Sequence, residues 1–371
     1  MHKRLLISAG GTGGHLFPAI GLAEQLKVCD PEIEILFAAG GLSTNSFFNQ
    51  EFPFHSIESG AFTKRSFLQC LKSGKSIVKG VLQSRRILSD FTPHAVVGFG
   101  SYHTFPMLLA ARYGGHPIFL HEQNSKPGKV IRLFAKQAVM TGVFFPEAVK
   151  ALSGPAQELA MPLRADYSLM QTSKEDAYRY FELDPNKQTL LAFGGSQGAK
   201  ALNELVARGV ECLPERQFQL LQFTGDQASV LLLQKRYQNL GIHAVVKAFE
   251  PSMNLAWRIA DLAIARAGAG TIAELIEFEV PTLLIPYPHA SENHQEHNAD
   301  FVVDTLQGGW KFREQELTPT TLAAFLQQQM SLGVMTQESE LKTTREQLQR
   351  FKRKKSNATF AGVIHEFLES L

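Results

Sequence analysis

Cysteine is scarce in this chain. Cys29, Cys70 and Cys212 are the three thiols among 371 residues, they lie far apart, and no CxxC occurs. That excludes a disulfide framework and a cysteine-built zinc site, and it fits thiols kept reduced. Long apolar runs are missing as well. No stretch of about 18 residues is apolar throughout, so no membrane-spanning helix is expected. The apolar run after His2, Lys3 and Arg4 stops at a glycine loop, too soon for a secretory signal, and a cytoplasmic setting is expected. The 29 Gly and 17 Pro follow no period, which excludes collagen-like and low-complexity chains. Acidic residues are absent from residues 59–89, where seven basic ones stand: Lys64, Arg65, Lys72, Lys75, Lys79, Arg85 and Arg86.

What is present is globular. Apolar residues make up 44% and charged residues 19%, and the length implies two domains. The net charge of +2 is uneven. Residues 1–163 hold 16 Lys/Arg against 10 Asp/Glu, whereas residues 164–371 hold 21 against 25. The basic excess points to an anionic partner for the N-terminal half, a membrane surface or a nucleic acid. Residues 61–89 interleave their basic side chains with Phe62, Phe67, Leu68, Leu71, Ile77, Val78, Val81 and Leu82, a pattern of interfacial helices. The plainer alternative is a core-facing helix with a solvated basic face.

The chain opens as strand, glycine turn and helix. Arg4–Ser8 is apolar, Gly10-Gly11-Thr12-Gly13-Gly14-His15 follows, and Pro18–Lys27 has helical spacing. Further strands are expected at 33–39, 95–98 and 117–120. The pattern restarts at Thr189–Phe193 with the turn Gly194-Gly195-Ser196-Gln197-Gly198-Ala199 and a helix over 201–213. Strands at 219–223, 244–248, 262–264 and 282–285 complete it. Two such openings in a βα alternation predict two Rossmann-like domains in tandem, facing each other across a cleft. The link is expected near Ala160-Met161-Pro162-Leu163, and Thr359–Leu371 is expected as a final amphipathic helix.

Glycine turns between strand and helix suit phosphates, because the backbone approaches closely and the helix start offers free N–H groups. One such turn also serves plain packing; two point to a nucleotide diphosphate. His15 sits where the helix dipole disfavours imidazolium, which suits a general base. A capping or packing histidine is the alternative. His121-Glu122-Gln123-Asn124 ends a strand and is expected to project into the cleft, with Glu122 a second candidate base or an orienter of His15. In Arg266-Ala267-Gly268-Ala269-Gly270-Thr271-Ile272-Ala273-Glu274, small residues admit a ligand and Glu274 suits a ribose diol. There the alternative is a capping box, Thr271 with Glu274 three residues on. His289, His294 and His297 have spacings that fit no standard metal set, and the loop reads better as sugar-binding. No Asp-x-Asp occurs, so no metal and no cofactor is expected in the handling of a nucleotide diphosphate.

In order, Gly10–His15 with Phe17-Pro18, His121–Asn124, Gly194–Ala199, Arg266–Glu274 and Pro286-Tyr287-Pro288-His289 with His294-Gln295 and Asn298-Ala299 resemble the MurG family. These are the UDP-N-acetylglucosamine transferases of bacterial cell-wall synthesis, and the likeness spans nearly the whole chain. It implies a GT-B fold, with an acceptor and membrane-facing domain over 1–163, joined by a helix at about 355–371, and a UDP-sugar domain over 164–354. It implies an inverting transfer of N-acetylglucosamine to the 4-hydroxyl of the muramyl sugar of lipid I, giving lipid II. By position, Glu274 would meet the ribose, Ser196 the diphosphate and Gln295 the sugar. Thr12, Gly13, Gly14, Asn124 and Arg164, with Ala269, Gly270 and Thr271, fall on donor-binding positions, and His15 or Glu122 would be the base. The implied partners are UDP-N-acetylglucosamine, lipid I and an anionic membrane, not nucleic acid. The implied place is peripheral, on the cytoplasmic face of the plasma membrane. The chain departs from the family at Ala160-Met161-Pro162, where Gly-Asn-Pro is usual, and at Glu250, which replaces an Ile near the uracil. Two other readings stay open: a UDP-N-acetylglucosamine 2-epimerase on the same fold, and a nucleotide-sensing module without catalysis.

Overall fold

The computed structural model describes residues 2–48, 51–60, 67–195, 198–330, 340–354 and 358–371, and for residues 67–72 the backbone alone. The chain divides into two units, Met1–Ala165 with Ser356–Leu371, and Asp166–Lys355.

The first unit is built on β1 (Arg4–Ser8), β2 (Glu34–Gly40), β3 (Phe54–Ile57), β4 (Ala95–Gly98), β5 (Ile118–Glu122), β6 (Met140–Val143) and β7 (Ala156–Glu158). They form one sheet in the order β3-β2-β1-β4-β5-β6-β7. Each pairing is parallel, for example Ile7 beside Phe37 and Ser8 beside Gly98. Runs such as Leu5-Leu6-Ile7 and Val96-Val97 are fully buried because helices cover both faces of a parallel sheet. One face packs on the first helix, Gly13–Cys29, and on the last, Phe360–Glu369. The other packs on Phe105–Tyr113 and on the long helix Phe67–Phe91 through Leu88, Val81 and Ile87.

The last helix belongs to this unit by its periodicity. Phe360, Ala361, Ile364 and Leu368 fall on one stripe and are buried against Leu5, Ile7 and Leu16. Thr359 caps it, accepting the Gly362 N–H at 3.0 Å, and Thr359 bridges to Ala160. Residues 162–165 are fastened to the first helix. Gln25 donates to the Leu163 carbonyl at 2.9 Å, Glu24 accepts the Ala165 N–H at 2.7 Å, and a Cβ at Gly21 would lie 2.7 Å from Leu163.

The second unit carries β8 (Gln188–Phe193), β9 (Phe218–Phe223), β10 (Ala244–Lys247), β11 (Leu262–Ala265), β12 (Thr282–Leu284) and β13 (Gly309–Lys311). Their order is β10-β9-β8-β11-β12-β13, again parallel throughout. In both sheets the strand order reverses beside the first strand of the unit, between β1 and β4 and between β8 and β11. Open parallel sheets bind ligands at that switch point, outside the C-terminal strand ends. The turns after β1, β4, β8 and β11 all stand there.

Candidate active site

In the first unit the glycine turn follows β1 directly. Gly11 takes φ +94, a conformation that glycine adopts freely, and Asn45 Nδ2 ties its carbonyl down at 2.6 Å. Thr12 is the N-cap, so Gly13, Gly14 and His15 form the first helical turn. The helix therefore begins five residues before Pro18, where apolar spacing alone would start it. Its first turn holds no acid, Thr12 and Gly14 are exposed, and a Cβ at Gly14 would meet nothing nearer than Thr12 Oγ1 at 3.7 Å. The positive end of a 17-residue helix with an exposed glycine in its first turn suits an anion.

His15, half-buried, places Nδ1 2.9 Å from Gln123 Oε1. His103 lies beside it on the loop after β4, its Nδ1 3.1 Å from Ser59 Oγ. Burial holds the His103 ring below the usual histidine range, with the charge of His15 a second cause. That loop contains Gly100 at φ +82 and Ser101 at φ +70, a position unusual for serine. His103 was not singled out in the sequence, although Gly100-Ser101 directly after a buried strand is itself a turn signal.

The stretch 121–124 corrects an expectation. Of its four residues only Asn124 reaches the surface; His121 is 0% exposed, Glu122 2% and Gln123 1%. The reason is that β5 runs on through Glu122, so these side chains enter the packing on the two sheet faces. His121 stacks between Phe99 and Phe360, with ring centroids 5.3 and 5.1 Å away. Glu122 accepts the N–H groups of Asn124 and Gly128, each at 2.8 Å, and so shapes the loop that presents Asn124. Burial pushes its carboxyl up to about 7, against the opposing pull of those hydrogen bonds. Gln123 meets His15. Arg164 is half-buried, between the two backbone anchors that hold residues 163 and 165 to the first helix.

In the second unit the turn after β8 is tight. The Gly198 N–H bonds to the Gly195 carbonyl at 2.9 Å, and a Cβ at Gly198 would lie 2.6 Å from the Thr224 carbonyl oxygen. It feeds the helix Lys200–Glu211, whose first turn is also free of acids. Ser196 and Gln197 lie outside the described residues.

After β11 the chain enters the helix Ala269–Phe278 with Gly268 as N-cap. This overturns the capping-box alternative: Thr271 is already the third helical residue, and Glu274 stands in the second turn. Gly270 has open space where a Cβ would be, and the first turn again lacks an acid. Glu274 Oε2 accepts the indole N–H of the fully buried Trp257 at 2.7 Å. Arg266 is buried, donating to the carbonyls of Ile285 and Pro286 at 3.2 and 3.3 Å and pairing with Glu314. It thereby holds the loop that leads to Tyr287. Gln295 Oε1 accepts the Tyr287 N–H at 2.9 Å, and its amide nitrogen is a donor. The departure at Glu250 has a structural use. Its buried carboxylate accepts from Tyr180 Oη at 3.0 Å, Lys247 Nζ at 2.7 Å and the Ser252 N–H at 2.8 Å.

Family models match both halves. The glycosyltransferase family 28 N-terminal domain covers residues 5–142 and its C-terminal domain residues 189–358. A UDP-N-acetylglucosamine--N-acetylmuramyl-(pentapeptide) pyrophosphoryl-undecaprenol N-acetylglucosamine transferase of Protochlamydia amoebophila is 46% identical over 88% of this chain and 87% of its own. The enzyme of the same name from Chlamydia felis is 33% identical over 99% of both. The crystal structure of MurG from Acinetobacter baumannii matches over 100% of each chain at 25% identity, with a TM-score of 0.73. A Polygonum tinctorium UDP-glucosyltransferase, 12% identical with a TM-score of 0.71 over 100% of this chain and 98% of its own, shares the fold. With two parallel α/β units, acid-free helix starts at both switch points and relatives of this closeness over nearly its full length, the chain belongs to glycosyltransferase family 28, in its MurG family of GT-B enzymes.

Proposed function

We propose that this chain transfers N-acetylglucosamine from UDP-N-acetylglucosamine to the 4-hydroxyl of the muramyl sugar of undecaprenyl-diphosphate-linked lipid I, with inversion, giving lipid II for peptidoglycan. The observation that carries the reading is the matched equipment of the two switch points. Each has glycine turns feeding acid-free helix starts; one adds a half-buried histidine, the other a carboxylate in the second helical turn.

In this reading residues 1–163 with about 355–371 take the acceptor, and residues 164–354 take the donor. Glu274 accepts from the ribose diol, with Ala269, Gly270 and Thr271 offering their N–H groups. Ser196 and the turn around it meet the diphosphate, and the amide of Gln295 meets the sugar. Thr12, Gly13, Gly14 and Asn124 complete the donor contacts. His15 removes the acceptor proton as the oxygen attacks the anomeric carbon opposite UDP. The bond to the diphosphate breaks with its electron pair, and Arg164 and the helix start at Lys200 stabilise the charge that develops there. Glu122, spent on two backbone N–H groups, supports the loop of Asn124.

The enzyme works peripherally, at an anionic membrane on its cytoplasmic face. Among the described residues no helix is long and apolar enough to cross a membrane. The helix Phe67–Phe91 supports surface binding: Lys75, Val78, Lys79, Leu82, Arg85 and Arg86 share its outer side, with Val78 61% and Leu82 60% exposed. Acids just outside the basic stretch temper it, Glu58 pairing with Lys79 at 2.9 Å and Asp90 with Arg86 at 3.7 Å. Lys64 and Arg65, and the Lys72 side chain, lie outside the described residues.

The test follows the label of UDP-N-acetylglucosamine. Transfer to lipid I, with label staying on the nucleotide when lipid I is withheld, is expected. Label appearing in a free epimerised sugar nucleotide without lipid I would overturn the reading.

A further inference from the structure

We propose that Gln123 is a positioning residue that sets the tautomer of His15, and that His121 and the last helix hold Gln123 for this task. The inference rests on the reading of His15 as the base. The contacts that carry it all lie within the first unit.

An amide has two unlike ends: its oxygen accepts and its nitrogen donates. Gln123 Nε2 stands 3.0 Å from the carbonyl oxygen of His121, an atom that only accepts. The nitrogen end therefore faces His121, and the oxygen end faces His15. Across 2.9 Å that oxygen needs a hydrogen on His15 Nδ1. The lone pair of the neutral ring then sits on Nε2, the nitrogen that takes the acceptor proton. The same Gln123 nitrogen lies 3.1 Å from His121 Nδ1, which accepts a second bond from it. His121 is itself fixed as a fully buried ring between Phe99 and Phe360. Phe360 opens the last helix and is fully buried; a Cβ at Gly142 would lie 2.8 Å from its ring.

A line of contact thus runs from the last helix through His121 and Gln123 to His15. Gln123 is 1% exposed, so water does not replace its oxygen as the partner of Nδ1. A neutral amide in this place orients the ring without the added proton affinity that a carboxylate would bring.

Long-range nitrogen–proton NMR on protein labelled with 15N-histidine reads the tautomer, the His15 signals being identified by their loss in His15→Asn. We expect the wild type to show a protonated Nδ1 and a bare Nε2. Gln123→Leu is expected to shift His15 toward the other tautomer. It should lower kcat about tenfold or more while KM for lipid I and UDP affinity stay within about twofold. Gln123→Glu keeps an oxygen opposite Nδ1 but loses the donor to the His121 carbonyl, so it should keep the wild-type tautomer and recover part of the kcat that Gln123→Leu loses. A merely structural role would move KM and donor affinity too, and the Glu variant would not rescue. A wild-type ring protonated on Nε2, or a folded Gln123→Leu that keeps either its tautomer or its full turnover, would overturn the proposal. If Gln123→Leu does not fold, the wild-type tautomer and the Glu variant still decide. Full turnover in His15→Asn would instead defeat the base assignment, which the tautomer measurement does not depend on.

Discussion

Trp257 donates its indole N–H to Glu274 across 2.7 Å, joining the helix Met253–Ile259 to the second turn of Ala269–Phe278. One carboxylate oxygen is thereby held at a set angle on the helix. Glu274→Ala should weaken UDP binding by about 1–3 kcal/mol, the cost of leaving ribose hydroxyls unpaired. Trp257→Phe, which keeps the ring and drops the donor, should cost about 1 kcal/mol. Calorimetric UDP affinity left unchanged by Glu274→Ala would refute the ribose role.

Glu122 should make stability depend on pH across the neutral range. Burial raises its carboxyl from 4.5 to about 7, so between these values the folded state binds more protons than the unfolded one. Stability from this group is therefore greatest below pH 4.5 and declines as pH rises through 7. A shift of that size corresponds to roughly 3 kcal/mol. Denaturant titrations of wild type against Glu122→Gln should show a limb that falls from about pH 4.5 to about pH 7 and that the variant lacks. The absence of that falling limb, or a limb that instead rises with pH below 4.5, would mean that the two backbone hydrogen bonds match or outweigh burial.

Strand β1 was legible to the residue, because Arg4–Ser8 is an apolar run closed by glycine. The same holds in outline for β2, β4, β5 and β8 to β12. Strands β3, β6, β7 and β13 were missed: β3, β7 and β13 are sheet edges that are only partly buried and so carry no apolar run, and Thr141-Gly142 interrupts the run of β6. The first helix was expected too late because Gly13 and Gly14 are poor helix formers, and their place was set by the Thr12 N-cap. The site residues were legible as motifs, but their pairings were not. Gln123 meets His15 across 108 positions, and Trp257 meets Glu274 through helix packing. Contacts of this kind depend on tertiary geometry that no local spacing encodes.

The outer side of Phe67–Phe91 should bind anionic vesicles. Lys75→Glu with Arg85→Glu should lower partitioning into them by roughly 30-fold or more, since each basic side chain near such a surface contributes about 1 kcal/mol. UDP affinity should be unchanged, and Leu82→Ser should add to the loss. Cosedimentation equal to wild type would leave the patch as a solvated helix face.

The assignment of His15 as the base is tested most directly by His15→Ala under saturating lipid I, with UDP affinity measured alongside. Loss of a general base typically costs about 10²–10⁴ in rate. Turnover should fall by that order while the donor still binds, because Glu274 and Gln295 lie in the other unit. Near-full turnover in His15→Ala would contradict the account.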